Sequence, residues 1–207
     1  HIDNTKGVGD TINKARKKRN NLPANYILLR DAGNTIPRLR KYGKSWLAVA
    51  GMPLELGLAK LSGMKIKKIH YPEIKSSNSY KPVYNNLNIS MSTMLSTLNN
   101  SFNSHDSFYL HIKETDIPGH DGNPLEKKKI IEIIDKKFFS HLLKYKDAMI
   151  CITADHSTPC ILKRHSYHPV PVLLYGKGSD HLRRFTEKLS KKGSLGKLYG
   201  KELIKLL

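Results

Sequence analysis

Three short stretches concentrate side chains able to bind metals or move protons. The first, "HIKETDIPGHDGN" (111–123), places Asp116 and His120 four residues apart, with Gly119 and Gly122 allowing tight backbone turns. The second, "TADHSTP" (153–159), carries adjacent Asp155 and His156. The third, "KRHSYHPVPVLLYG" (163–176), sets His165 and His168 just before an apolar run. Any one of these alone reads more readily as loop chemistry, because Asp and Asn at strand ends are more often turn or cap residues than ligands. His105 and His181, standing outside these stretches, read as solvated. Taken together, the three form a donor set of carboxylates and imidazoles without thiolates, which suits Zn2+, Mn2+ or Mg2+ rather than an iron–sulfur cluster. A single catalytic ion usually takes three protein ligands and leaves one position open. The donor set exceeds that need and fits two ions, an arrangement that stabilises both the attacking and the leaving oxygens of phosphoryl transfer.

Such donors must be held at the ends of regular elements. Apolar runs predict strands at 25–30, 44–51, 66–72, 107–113, 148–153 and 170–176. Helices are expected over 10–19, 52–63, 91–102, 124–144, 180–192 and 200–207, and 73–88 reads as a long surface loop. Within 124–144, Asn123 and Pro124 form a cap and first-turn pair, and Ile130, Ile134, Phe138 and Leu142 fall four apart as one buried stripe. Alternation of strand and helix predicts an α/β layer fold with a largely parallel sheet flanked by helices. In such sheets, polar residues beyond the carboxyl ends of the strands meet in one crevice. The donor stretches flank three of the expected strands, read here as buried strands of one sheet.

Composition narrows the class. With 207 residues and 39% hydrophobic content, the chain can bury a substantial core. No apolar run reaches membrane-spanning length. Cys151 and Cys160 form no CxxC pair, and Cys151, inside an apolar run, reads as a small buried hydrophobe, so the expected setting is reducing and cytoplasmic. The Lys and Arg residues behind the net charge of +19 are spread along the chain, with local concentrations at "KARKKR" (14–19) and in the last thirty residues and few aromatics nearby for base stacking. An anionic substrate is favoured over a dedicated nucleic-acid partner.

The motifs "KETDIPGHDGN", "TADHSTP" and "HSYHPVP", in that order, resemble the metal-binding half of the alkaline phosphatase superfamily. Within it they resemble the archaeal-type, 2,3-bisphosphoglycerate-independent phosphoglycerate mutases, as do "LPANYILLRDAG" (22–33) and "AVAGMPLELGLAKLSGM" (48–64). The resemblance implies that Asp116, His120 and His165 hold one divalent ion. Asp155 and His156 would hold a second, together with an Asp from an upstream region that also carries the nucleophilic Ser. It implies Mn2+, Zn2+, Mg2+ or Co2+ as cofactors, and interconversion of 3- and 2-phosphoglycerate through phosphoserine, as in glycolysis and gluconeogenesis. Arg30 and Lys113 would pair with phosphate or carboxylate; Arg38 and Arg40 are weaker candidates.

On the same resemblance the chain is a C-terminal portion that lacks the nucleophile. Residues 1–41 are the tail of an inserted substrate-binding domain, and 42–207 belong to the metalloenzyme core. Its partner would be a separate N-terminal chain or a second copy. The family pattern has Gly where Asp31 and Ala154 stand, and Asp where His168 stands, so His168 is expected to support a ligand from outside the metal shell. Asp31 beside Arg30 opposes a phosphate role for that arginine. Two alternatives remain open: another phosphatase or phosphomutase of the superfamily, and a degenerate basic module binding RNA or another polyanion.

Overall fold

A computed structural model describes residues 3–24, 33–72 and 79–207. The expected strand 25–30, with Arg30, lies outside the described residues, as does part of the expected 73–88 loop. The chain divides into two compact units, residues 1–111 and 112–207.

The first unit contains α1 (Asp3–Lys18), β1 (Trp46–Ala50), α2 (Pro53–Leu61), β2 (Lys65–Lys68), α3 (Lys81–Ser101) and β3 (Ser107–Leu110). Its sheet runs β2-β1-β3 with every pair parallel, Leu47 lying opposite both Lys65 and Phe108. Leu47 to Ala50 are all buried, as befits a central parallel strand covered on both faces. Among the described residues its neighbour β2 is an exposed edge rich in lysine, a composition that discourages pairing with further strands. Helix α2 packs on β1 and β2, and α3 packs on β1.

Helix α3 begins ten residues before the expected start, so the second half of the predicted 73–88 loop is helical. Its buried face mixes Val83, Leu87, Met91, Met94 and Leu98 with Asn86, Ser90 and Thr97. Those polar members disguise the apolar stripe in the sequence. For Ser90 and Thr97 burial is tolerated because their hydroxyls find partners: Ser90 Oγ meets the Tyr71 hydroxyl at 2.9 Å, and Thr97 Oγ1 donates to the Thr93 carbonyl at 2.6 Å.

The second unit contains α4 (Ile117–Asp121), α5 (Pro124–Ile134), α6 (Ser140–Leu142), β4 (Ile150–Ile152), β5 (Leu173–Tyr175), α7 (Glu187–Ser190) and α8 (Gly200–Leu203). Strands β4 and β5 pair antiparallel, Ile150 opposite Tyr175, and are half-buried. The reading of both as buried strands of one sheet is corrected: among the described residues they form their own two-stranded sheet. Pro171 lacks a ladder donor and helps confine β5 to three residues. The helix expected over 180–192 shrinks to α7. The Asp180 carboxylate accepts from the Leu182 and Ser194 amides, a local bonding that competes with helix, and Thr186 caps the Leu189 amide, so the helix starts only there. Likewise α8 covers only half of the expected 200–207.

Helix α5 starts where expected, with Asn123 Oδ1 accepting from the Glu126 amide at 3.2 Å. Replacing Asn123 with alanine should lower stability by about 1 kcal/mol in denaturant titrations. Between α5 and α6 the helix passes through a π-turn, Asp135–Phe139. The turn explains how Ile130, Ile134, Phe138 and Leu142 are all buried despite their strict four-residue spacing. In a pure α-helix each four-residue step overshoots a full turn by about 40°, so the stripe would wind off the core. A π-turn absorbs one extra residue and returns the last two to the same face.

Candidate metal centre

The centre lies within the second unit. Helix α4 begins directly after Asp116 and carries His120 one turn later, with the His120 amide donating to the Asp116 carbonyl at 3.1 Å. Residues at this separation lie on one helix face. Gly122, at φ 72°, ends α4 in the left-handed conformation that favours glycine. The Asn123 amide then closes on the Pro118 carbonyl at 2.9 Å.

The other two stretches meet through a single bridge, in which the Ser166 amide donates to the Ser157 carbonyl at 2.9 Å. This bridge sets His165 beside His156, their rings stacked with centroids 3.6 Å apart. His165 Nε2 then lies 3.6 Å from Asp116 Oδ1, His120 Nε2 lies 3.4 Å from Asp116 Oδ2, and the two Nε2 atoms are 3.1 Å apart. Ligands around a tetrahedral ion with bonds near 2.05 Å are separated by roughly 3.3 Å. His120 Nδ1 sits 3.2 Å from the Lys163 carbonyl, so its N–H donates there and leaves the Nε2 lone pair facing the cluster. Donor chemistry and spacing both suit a divalent cation.

Asp116 is the hub of this arrangement. Its Oδ1 accepts from the Thr158 hydroxyl at 2.6 Å, and its Oδ2 accepts from the Lys113 ammonium. Burial pushes its carboxyl upward, but the bonds from Lys113 and Thr158 and the Lys113 charge outweigh this and hold it down at about 2. It is therefore an anion throughout the neutral range.

Of the expected ligands, the structure brings Asp116, His120 and His165 together. It also places His156 with them, since Asp116, His156 and His165 each offer a donor atom within 4.8 Å of the others. Asp155 is exposed and turned to its own neighbour, Oδ1 accepting from the His156 amide at 3.0 Å and Oδ2 lying 3.3 Å from His156 Nε2. His168 is exposed, with Nδ1 2.8 Å from Ser166 Oγ. Lys113, expected on the substrate, here engages Asp116. His105 is half-buried rather than freely solvated, its Nδ1 3.0 Å from Ser104 Oγ and its ring beside Phe108. A cavity of about 550 Å³ adjoins the centre, with Asp155, His156, His165 and His168 on its lining together with Tyr199 and Leu203.

Sequence reading missed Thr158. It is buried, and its hydroxyl bridges Asp116 Oδ1 and, at 3.2 Å, His156 Nδ1, orienting a carboxylate and an imidazole at once. Its only sequence signal is its place two residues after His156, which many loop threonines would share. Gly119 fits against it so closely that a Cβ there would lie 2.6 Å from the Thr158 carbonyl oxygen. The thiols Cys151 and Cys160 are both free; Cys151 is half-buried, not fully buried as expected, and burial pushes its thiol upward.

Among the described residues, no helix is long and apolar enough to cross a membrane. The chain resembles several curated proteins named as 2,3-bisphosphoglycerate-independent phosphoglycerate mutases. The probable enzyme of Thermosipho africanus is 35% identical over 188 residues, covering 88% of this chain and 42% of that protein. That of Pyrococcus abyssi is 33% identical over 205 residues, covering 95% and 47%. Among solved structures, the PH0037 protein of Pyrococcus horikoshii matches with a TM-score of 0.72 and 30% identity over 95% of this chain and 51% of that one. The chain thus spans less than half the length of these two curated relatives. The model of the Metalloenzyme superfamily matches residues 4–207, nearly end to end, and the chain belongs to that superfamily.

Proposed function

We propose that this chain is the metal-binding portion of a phosphoglycerate mutase that interconverts 3- and 2-phosphoglycerate through a phosphoserine intermediate. The observation that carries the reading is the convergence of Asp116, His120 and His165 at ligand spacing. The names and identities of the curated relatives support it. In this reading Asp116, His120 and His165 hold one divalent ion. Asp155 and His156 contribute to a second, completed by a carboxylate outside this sequence, as is the nucleophilic Ser. The imidazole-rich donor set favours Zn2+ over Mg2+. When bound, the ions supply charge neutralisation on phosphate oxygens and activation of the hydroxyl nucleophile.

The chain's own residues have distinct tasks. Thr158 holds Asp116 and His156 in orientation, and the Lys163 carbonyl fixes the His120 tautomer. Arg30 and Lys113 are assigned to the substrate's anionic groups, and His168 to support from outside the ligand shell. Residues 1–41 are read as the tail of a substrate-binding insertion, 42–207 as the core, and the setting as cytoplasmic. The test is turnover of 3-phosphoglycerate, with p-nitrophenyl phosphate as a generic ester, by the protein carrying both this sequence and the nucleophile region. Conversion to 2-phosphoglycerate is expected. Hydrolysis of both esters without isomerisation would replace the mutase reading with that of a phosphatase.

A further inference from the structure

We propose that Lys113 is a resident counter-cation of the metal centre: a divalent ion must displace its ammonium from Asp116, and Lys113 thereby sets the affinity of the site. The inference rests on the metal-centre reading above and concerns a role distinct from ligation or catalysis.

The geometry is asymmetric around one carboxylate. Asp116 Oδ1 is committed to the Thr158 hydroxyl, whereas Oδ2, the oxygen facing His120 Nε2 at 3.4 Å, receives the Lys113 ammonium. His165 Nε2 faces Oδ1 at 3.6 Å, so an ion held by His120 and Oδ2 competes with the ammonium for that one oxygen. An ammonium has three donors and no lone pair, so it can imitate the ion's charge but cannot join its ligands. An ion bonded to Oδ2 at about 2 Å would face a unit positive charge only a few ångströms away. Repulsion at that range is strong even where solvent partly screens it.

Which partner yields follows from exposure. The Lys113 side chain is 31% exposed and that of Asp116 only 11%. Lysine's four-carbon stem can swing its tip into water, while the carboxylate is held by Thr158 and by its place at the start of α4. Displacement leaves the ammonium tethered three residues from the ligand, within reach of an anion arriving at the centre. Lys113 thus keeps Asp116 charge-balanced before the ion arrives and weakens ion binding in proportion to that service.

Calorimetric titration of Mn2+ into the metal-stripped chain tests this. Lys113→Met and Lys113→Gln should each bind Mn2+ about tenfold more tightly than the wild type. Lys113→Arg, which keeps the charge, should not. Two neutral variants guard against one failing to fold, and circular dichroism verifies both. If the neutral variants bind equally or more weakly while Asp116→Ala abolishes binding, the competition is refuted and the metal centre stands. If Asp116→Ala leaves binding unchanged, the centre itself is misassigned and the inference falls with it.

Discussion

Asp116→Ala should lower divalent-ion affinity by about 100-fold or more while leaving the fold standing. The magnitude follows from the position of the carboxylate. Changes to groups that merely orient ligands typically weaken metal binding by about 10–100-fold, and Asp116 is both a donor and the acceptor for the orienting Thr158 hydroxyl. The structural penalty is smaller. Lys113, one-third exposed, relaxes into water, and the Thr158 hydroxyl keeps His156 Nδ1 as a partner. Losing two bonds to a charged group should reduce stability by about 2–4 kcal/mol in denaturant titrations. Calorimetry with Mn2+ or Zn2+ reads the first quantity, with Asp116→Asn as an intermediate case that retains one acceptor oxygen. Wild-type affinity in the alanine variant would remove Asp116 from the centre.

The second large effect comes from a single methyl group. Gly119→Ala would set a Cβ 2.6 Å from the Thr158 carbonyl oxygen, 2.9 Å from its Cγ2 and 3.1 Å from its Cβ. The obstructing oxygen belongs to backbone, and Lys127 Nζ ties it to helix α5 at 2.7 Å. Nothing flexible is available to give way. Overpacking of this kind costs about 1–3 kcal/mol, and the shift it forces moves the Thr158 hydroxyl away from Asp116. Stability and metal affinity should therefore fall together, although Gly119 touches no ion. Gly57→Ala is the contrast: it lies within α2 with nothing in the way of a Cβ, and alanine there should stabilise by about 0.5–1 kcal/mol. Equal stability of the two variants would show that the turn at 156–158 adapts, and that the Gly119 contact does not secure the centre.

These two residues mark how far the sequence can be read. Asp116 and His120 were singled out by residue type alone, since the short helix α4 that sets them on one face was not expected, whereas Asn123–Pro124 was legible because capping chemistry is local. The parallel β2-β1-β3 sheet was legible from the alternation of apolar runs with helical segments. Thr158 was not, because its value depends on which carboxylate lies opposite, and Asp116 is 42 residues away along the chain. The stacking of His156 on His165 likewise depends on the Ser157–Ser166 bridge, which no spacing reveals. The direction of β4 against β5 escaped for a related reason, since short apolar runs look alike whether their partner is parallel or antiparallel. The early start of α3 was hidden by Asn86 and Ser90, polar residues that interrupt the apolar stripe yet lie on its buried face.

The π-turn at Asp135–Phe139 has a consequence for comparing this helix with others. Ile130 and Ile134 keep time with one helical register, Phe138 and Leu142 with the next. A relative whose corresponding helix is regular throughout must therefore be matched with a one-residue offset inside 135–139. Placed anywhere else, that gap pairs buried positions with exposed ones. The helix is two short rulers joined with one division to spare, and deleting that division would straighten the hydrogen bonding while turning half the stripe toward water.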